Sequence, residues 1–358
     1  MIIDSAKISR RAAGLDLFRV MAAVMVLLFH GNIHHGFSYG PLTGFASMGA
    51  IFMSAFFMLS GYVLFYTYRE QSLVQSEPLK KFYLKRLIGI IPLYYLVSVL
   101  YVLTLGQENI FQNIVLLPIE LLGLQSVFSS LFEVSHNSGT WFISCLLLAY
   151  LVFPLMQEIV KQMGTKAKLV SMGLCVFVLL WAPLVVRTFS IDGIYSNPFF
   201  RGLEFLIGVL LCSLSSRPKF LCSWPAFVVE LFVLIVGVSM AVRMNLFVGN
   251  YMLYDWIAVP VFACMVLTLS ELRSPRLQGS RVLRYASAVS YAFFLVQTFN
   301  TEIEEFLFLQ WGIRDNVSRI VLSVVLCGIM AVVLHELVEK PCSRFLRSKT
   351  EKKLGSKG

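Results

Sequence analysis

Residues 14–31, GLDLFRVMAAVMVLLFHG, decide how the chain is read. The stretch has the length and apolar character of a transmembrane helix, yet it carries Arg19 near one end and His30 at the other. Eleven helical steps of about 100° bring the two side chains to within about 20° of one stripe, about 16–17 Å apart along the axis. A charge and a titratable ring on one stripe of a membrane helix should face protein or water rather than lipid. The plainer alternative is that Arg19 snorkels to the headgroups and His30 caps the outer end.

The whole chain extends this picture. Of its 358 residues 58% are hydrophobic and 14% charged, which is too apolar for a soluble domain and fits a polytopic membrane protein. No small-residue cleavage site follows a short apolar core, so the first span is expected to stay. The net charge of +10 would suggest nucleic acid in a soluble protein. Here the positive-inside rule accounts for it, and no nucleic-acid partner is expected. Cys145, Cys175, Cys212, Cys222, Cys264, Cys327 and Cys342 lie in apolar segments or near basic ends, with no C-x-x-C. Neither a disulfide framework nor a metal site is expected.

Charge then sets the topology. Lys7, Arg10 and Arg11 place the N-terminus in the cytoplasm. The first span, 14–31, exits to a loop 32–44 rich in Gly and His. The second, 45–68, returns to a basic segment, 69–86, and the third runs 87–105. The stretch 110–128 is apolar enough to cross, but 141–159 ends at Lys161, Lys166 and Lys168, and a crossing at 110–128 would put those lysines outside. With Pro118 and Glu120 inside it, 110–128 reads as a re-entrant or interfacial segment. Spans at 169–187, 199–215, 225–242, 251–270, 286–308 and 317–338 follow, with Arg217 and Lys219 inside. The reading is an all-α integral membrane protein of about ten spans, one domain over 1–358, both termini cytoplasmic. All thirteen lysines then fall on the cytoplasmic side.

His30 is the leading chemical candidate, an intramembrane imidazole suited to general-base work near neutral pH. Arg19 is placed to hold an anion. His34, His35 and His136 read as solvated outer-loop residues, and His335 as structural. In FMLSGY (57–62), Ser60 and Gly61 permit close helix approach or a kink, and a serine nucleophile would need a base that sequence does not show. In KKFYLKRLIGIIPLYY (80–95), Lys81, Lys85 and Arg86 at helical spacing beside aromatics suit either phosphates or an anchor to anionic lipid. In FFRGLEFLIG (199–208), Arg201 and Glu204 share a helix face and could pair. Tyr291 and Gln297 add polar groups to a late span.

The ordered set of motifs resembles the membrane acyltransferase-3 family, which contains many bacterial polysaccharide O-acetyltransferases. Arg19 to His30 matches the family's Arg-x10-His. Phe57 to Tyr62 matches its Phe-x-Leu-Ser-Gly-aromatic block, and Lys85-Arg86 through Pro92 its basic stretch before Ile-x-Pro. Trp141 in GTWFISCLLL, Arg201 with Phe205 and Gly208, Ser290-Tyr291, and Glu339-Lys340-Pro341 follow in the right order. Departures are Gly89 where a second arginine is common, Gln297 where many members carry histidine, and Cys145 where a glutamate is frequent. A trailing hydrolase-like domain found in some members is not seen.

The resemblance implies an O-acyltransferase, with acetyl-CoA the first donor to consider, moving an acyl group from a cytoplasmic acyl-CoA to a hydroxyl of a surface or lipid-linked glycan. It implies a multi-pass protein of the bacterial cytoplasmic membrane, in contact with membrane lipid. His30 would be the general base or would carry the acyl group. Arg19 and Arg86, with Lys81 and Lys85, would bind or orient the CoA phosphates. Ser60, Tyr62, Trp141, Arg201, Glu204, Tyr291 and Gln297 would line the acceptor path. Ten spans with buried charges suit a non-enzymatic transporter or flippase of a glycan or organic anion equally well.

Overall fold

In the computed structural model of the chain, residues 5–104, 110–127, 138–189, 193–214, 222–245 and 255–355 are described. The expectations for His136, Arg217 and Lys219 fall outside them. Regular structure among the described residues is helical throughout. The principal helices are α1 (Ser5–His35), α2 (Thr43–Ala46), α3 (Phe52–Tyr68), α4 (Ser76–Thr104), α5 (Ile110–Leu121), α6 (Trp141–Gln162) and α7 (Thr165–Phe189). They continue as α8 (Pro198–Ser213), α9 (Trp224–Arg243), α10 (Asp255–Glu271), α11 (Pro275–Gly279), α12 (Arg281–Gln310), α13 (Asn316–Leu334) and α14 (Lys340–Gly355).

Seven stretches among the described residues are long and apolar enough to cross a membrane. Three further expected spans occur as helices. Of these, α8 and α10 have only 16 and 17 residues, and α12 has 30 but carries Arg281, Arg284, Glu302, Glu304 and Glu305. Helix α5, over the disputed stretch, has 12 residues, about 18 Å of rise against a hydrocarbon core of about 30 Å. The helix is closed by Gly123, at φ 64, with the Gly123 and Leu124 N–H groups donating to the Glu120 and Ile119 carbonyls.

Two boundaries differ from expectation. The first helix runs to His35, so His34 and His35 form its last turn rather than a loop. Gly31 does not end it; a Cβ there would meet the Phe37 ring and the Tyr39 hydroxyl at 2.6–2.7 Å. The stop is Gly36, at φ 67, where glycine takes the left-handed conformation without cost. Likewise much of the basic segment 69–86 is helical from Ser76, so Lys81, Lys85 and Arg86 stand on the same helix as the third span. Pro78 is tolerated there because the first turn has no intrahelical use for its N–H.

Other helix starts follow from short-range chemistry. Asn197, Ser223 and Ser274 cap α8, α9 and α11, each followed within two residues by proline, and Asp315 caps α13. Prolines inside helices free carbonyls, and side chains take them up. Pro92 cannot donate to the Ile88 carbonyl, and Ser343 Oγ donates to it at 3.3 Å. Three residues before Pro154 and Pro183, the Leu151 and Leu180 carbonyls accept from the Tyr83 hydroxyl at 2.8 Å and from Trp256 Nε1 at 2.6 Å. Pro341 forces the backbone before it into a π-helical turn, 335–339, where the Lys340 N–H reaches back to the His335 carbonyl.

The chain divides into two compact units, residues 1–70 with 156–290, and residues 71–155 with 291–358. In the first, α3 and α8 cross backbone to backbone. A Cβ on Gly61 would overlap the Phe205 carbonyl, and one on Gly208 would overlap that of Met58. Helix α10 packs on α1 in the same way, with Gly14 against the Leu269 carbonyl. Phe18, Phe52 and Phe262 fill the space between, at 5.0–5.9 Å between centroids. In the second unit, Tyr94 and Tyr95 donate to the Glu120 and Leu121 carbonyls at the end of α5, and Gln125 bonds the Thr140 hydroxyl and carbonyl.

Candidate functional site

Helix α1 is unbroken between Arg19 and His30, so the shared stripe expected from their spacing exists. The His30 ring stacks on His34, with centroids 5.6 Å apart and planes at 13°, and leans on Phe29 at 5.4 Å. Its Nδ1 is buried and meets no hydrogen-bond partner among the described residues. A buried polar atom in that state is costly unless a ligand or solvent meets it, which makes it a pointer to chemistry. Lower on the stripe, Arg19 Nη1 donates to Ser287 Oγ at 3.2 Å and lies 3.8 Å from Asp16 Oδ1. Ser287 in turn donates to Asp16 at 2.7 Å. Arg19 is therefore held half-buried by its own helix and by α12.

Level with the C-terminal half of α1 lies a second polar group of the same unit. Gly49, just before α3, sits against the Met25 carbonyl and the Phe29 side chain, beside His30. Farther along, Ser54, Arg201, Glu204 and Asp255 come together with 0–1% exposure. Arg201 Nη1 donates to Glu204 at 2.8 and 3.0 Å and to Ser54 Oγ at 3.0 Å, and its Nε donates to the Tyr195 carbonyl at 2.8 Å. Ser54 Oγ donates to Asp255 Oδ1 at 3.3 Å, while Asp255 Oδ2 has no hydrogen-bond partner among the described residues. The guanidinium also lies over the Tyr195 ring at 4.8 Å. Arg201 and Glu204 thus pair, as their spacing suggested, with 1% and 0% exposure. Ser60 and Tyr62 lie in α3 on either side of Gly61, within the crossing with α8, and Tyr62 is buried.

The second unit holds the remaining candidates. Lys81 and Lys85 are exposed on the first turns of α4. Arg86 is half-buried between Phe82 and Tyr150, 5.9 Å from each ring centroid. Trp141 opens α6 and is buried; its carbonyl accepts from Ser126 Oγ at 2.7 Å. The Tyr291 hydroxyl donates to the Ile90 carbonyl at 2.9 Å, and Gln297 is 2% exposed. His335 Nδ1 lies 2.8 Å from Glu339 in the π-helical turn, and Lys340 pairs with Glu336 at 2.6 Å.

Against known families, the acyltransferase domain of the acyltransferase-3 type matches residues 12–335. The chain belongs to the acyltransferase-3 family. No curated protein and no solved structure matches it. The match spans both units, so both polar groups of the first and the basic end of α4 are parts of one acyltransferase-3 chain. Asp16, Ser54, Asp255, Tyr195 and Ser287 were not singled out in the sequence. Asp255 had a usable signal, a carboxylate opening an apolar helix. Asp16 had one too, a carboxylate three residues before Arg19. Ser54 and Ser287 carry none, because their partners lie 147 to 271 positions away.

Proposed function

We propose that this acyltransferase-3 chain is a multi-pass membrane O-acyltransferase that moves an acyl group from acyl-CoA to a hydroxyl of a surface or lipid-linked glycan. The observation that carries the reading is His30, an imidazole on a helix long and apolar enough to cross a membrane and matched by the family model, with a buried Nδ1 that meets no hydrogen-bond partner among the described residues. As general base, the imidazole takes the proton of the acceptor hydroxyl while the hydroxyl oxygen attacks the thioester carbonyl. The C–S bond breaks, CoA leaves as the thiolate, and the imidazolium returns the proton to it. As carrier, the imidazole nitrogen would take the acyl group first. Arg19 orients charge along the stripe. Lys81, Lys85 and Arg86 bind the CoA phosphates, and Ser60, Tyr62, Trp141, Arg201, Glu204, Tyr291 and Gln297 shape the acceptor path directly or by holding its walls. The protein works as one domain of ten spans in a bacterial cytoplasmic membrane, both termini inside.

Three experiments test these parts. Lys85→Ala with Arg86→Ala is expected to weaken CoA binding by roughly 5- to 150-fold, the loss of about 1–3 kcal/mol of phosphate contact, with the fold intact. Unchanged CoA affinity by calorimetry would return the cluster to a lipid anchor. For topology, a reporter fused at Ser130 should appear outside and one at Thr165 inside. A cytoplasmic signal at Ser130 would mean that 110–128 crosses, and the ten-span arrangement would fall. Acyl transfer or CoA-ester hydrolysis by purified protein separates this reading from a transporter.

A further inference from the structure

An imidazole that works as base or carrier has to be held at one angle, because misplacing a reacting group by about 1 Å can cost about 10²-fold in rate. The usual device is a carboxylate or carbonyl on the second ring nitrogen, which also sets the tautomer. His30 does not use it: its Nδ1 is buried and meets no hydrogen-bond partner among the described residues. The groups against its ring are aromatic. His34, one turn on, stacks on it with centroids 5.6 Å apart and planes at 13°. Phe29 leans on it at 5.4 Å and 58°, and is itself buried beside Gly49.

The last turn of α1, which carries His34, is tied to the chain that follows it. The Gly36 and Phe37 N–H groups donate to the Asn32 and Gly31 carbonyls at 3.0 and 3.2 Å. Asn32 Nδ2 donates to the Phe37 carbonyl, and the Tyr39 hydroxyl to the Leu28 carbonyl, both at 2.9 Å. A helix end of this kind ordinarily frays. Here four hydrogen bonds keep it wound beneath an exposed histidine.

We infer that His34 is a positioning residue, whose ring fixes the plane of the His30 imidazole by stacking in place of a hydrogen bond. Gly31, Gly36 and Tyr39 hold the turn that carries it. The inference rests on the reading of His30 as base or carrier. The ring face of His34 does the holding, so an aromatic residue without a nitrogen can replace it.

The test measures acyl transfer to the host's own envelope glycan per folded molecule, with acetyl-CoA binding and melting temperature of the full chain in nanodiscs. His34→Ala keeps the helix and removes the ring. It is expected to slow transfer by roughly 10- to 100-fold, with acetyl-CoA affinity and melting temperature unchanged. His34→Phe restores a ring face and should bring transfer back to within about threefold of wild type. Solid-state NMR of the histidine-labelled chain reads the ring without turnover. His30 should give one ordered ring in wild type and His34→Phe, and an averaged one in His34→Ala. Tyr39→Phe removes the hydroxyl that ties the turn to Leu28. It should give a smaller loss of the same kind, and it stands in if His34→Ala does not fold. Full transfer by His34→Ala overturns the inference. So does His34→Phe as slow as His34→Ala, because a His34 nitrogen is then required. A fall in folded protein with transfer per molecule retained overturns it too, since the stack is then structural. Wild-type transfer by His30→Gln is a separate failure, which removes the reading of His30 and this inference with it.

Discussion

Replacing His30 by glutamine is expected to abolish glycan acylation while the protein still accumulates in the membrane. Glutamine keeps a hydrogen-bonding group of similar reach but cannot take a proton at neutral pH. Loss of a general base costs about 10²- to 10⁴-fold in rate, and loss of an acyl carrier costs at least as much. The size of the defect therefore does not separate the two roles, but trapping does. Labelled acyl-CoA given without acceptor should leave label on His30 if it carries the acyl group, and none if it is the base. Stability should hardly move. The ring stacks on His34 at the exposed end of α1, and its Nδ1 makes no hydrogen bond among the described residues for the substitution to break. Wild-type acylation by the glutamine variant would remove His30 from the chemistry, and the site would have to be sought elsewhere. A fall in protein level with activity per folded molecule retained would mark it as structural.

Arg201→Met is expected to be the most destabilising single change in the first unit. It leaves Glu204 and Asp255, two carboxylates with 0–1% exposure, facing each other without a cation. Removing one partner of a buried pair costs about 3–5 kcal/mol, and here a second carboxylate adds to the uncompensated charge. Thermal unfolding in detergent reads the loss. The diagnostic comparison is Arg201→Met combined with Glu204→Leu. Taking out both members of the pair should recover a large part of the stability, because the desolvation penalty goes with them. If the single and double variants unfold alike, the guanidinium is held by something other than Glu204. If neither differs from wild type, the cluster is not a structural element of the unit.

What the sequence disclosed, and what it hid, follow from the range of each interaction. Helix starts at Asn197-Pro198, Ser223 and Asp315 are local chemistry, visible within four residues. The His30 stripe needed only helical periodicity, and Pro118 with the lysines downstream marked 110–128 as an exception, where the helix has 12 residues. The exit of α1 was misplaced because Gly31 and Gly36 look alike in a string. One makes room for Phe37 and Tyr39, and the other takes a positive φ. The pairing of Arg201 with Glu204 was legible at three residues' spacing. Its extension to Ser54 and Asp255 was not, since nothing local ties residues 147 and 201 positions apart.

The crossing of α3 and α8 at Gly61 and Gly208 has a mechanical meaning. With no side chains at the contact, the two axes cannot slide or separate without losing the fit, so the junction allows only rotation, as the rivet of a pair of scissors does. Ser54 and Arg201 stand about 10 Å along the blades from that rivet, where a 10° opening would part them by about 2 Å. Their 3.0 Å hydrogen bond is therefore the latch that fixes the angle. A lever of this kind turns any push on the Arg201 cluster into a change of helix angle, and any change of helix angle into a break at Ser54.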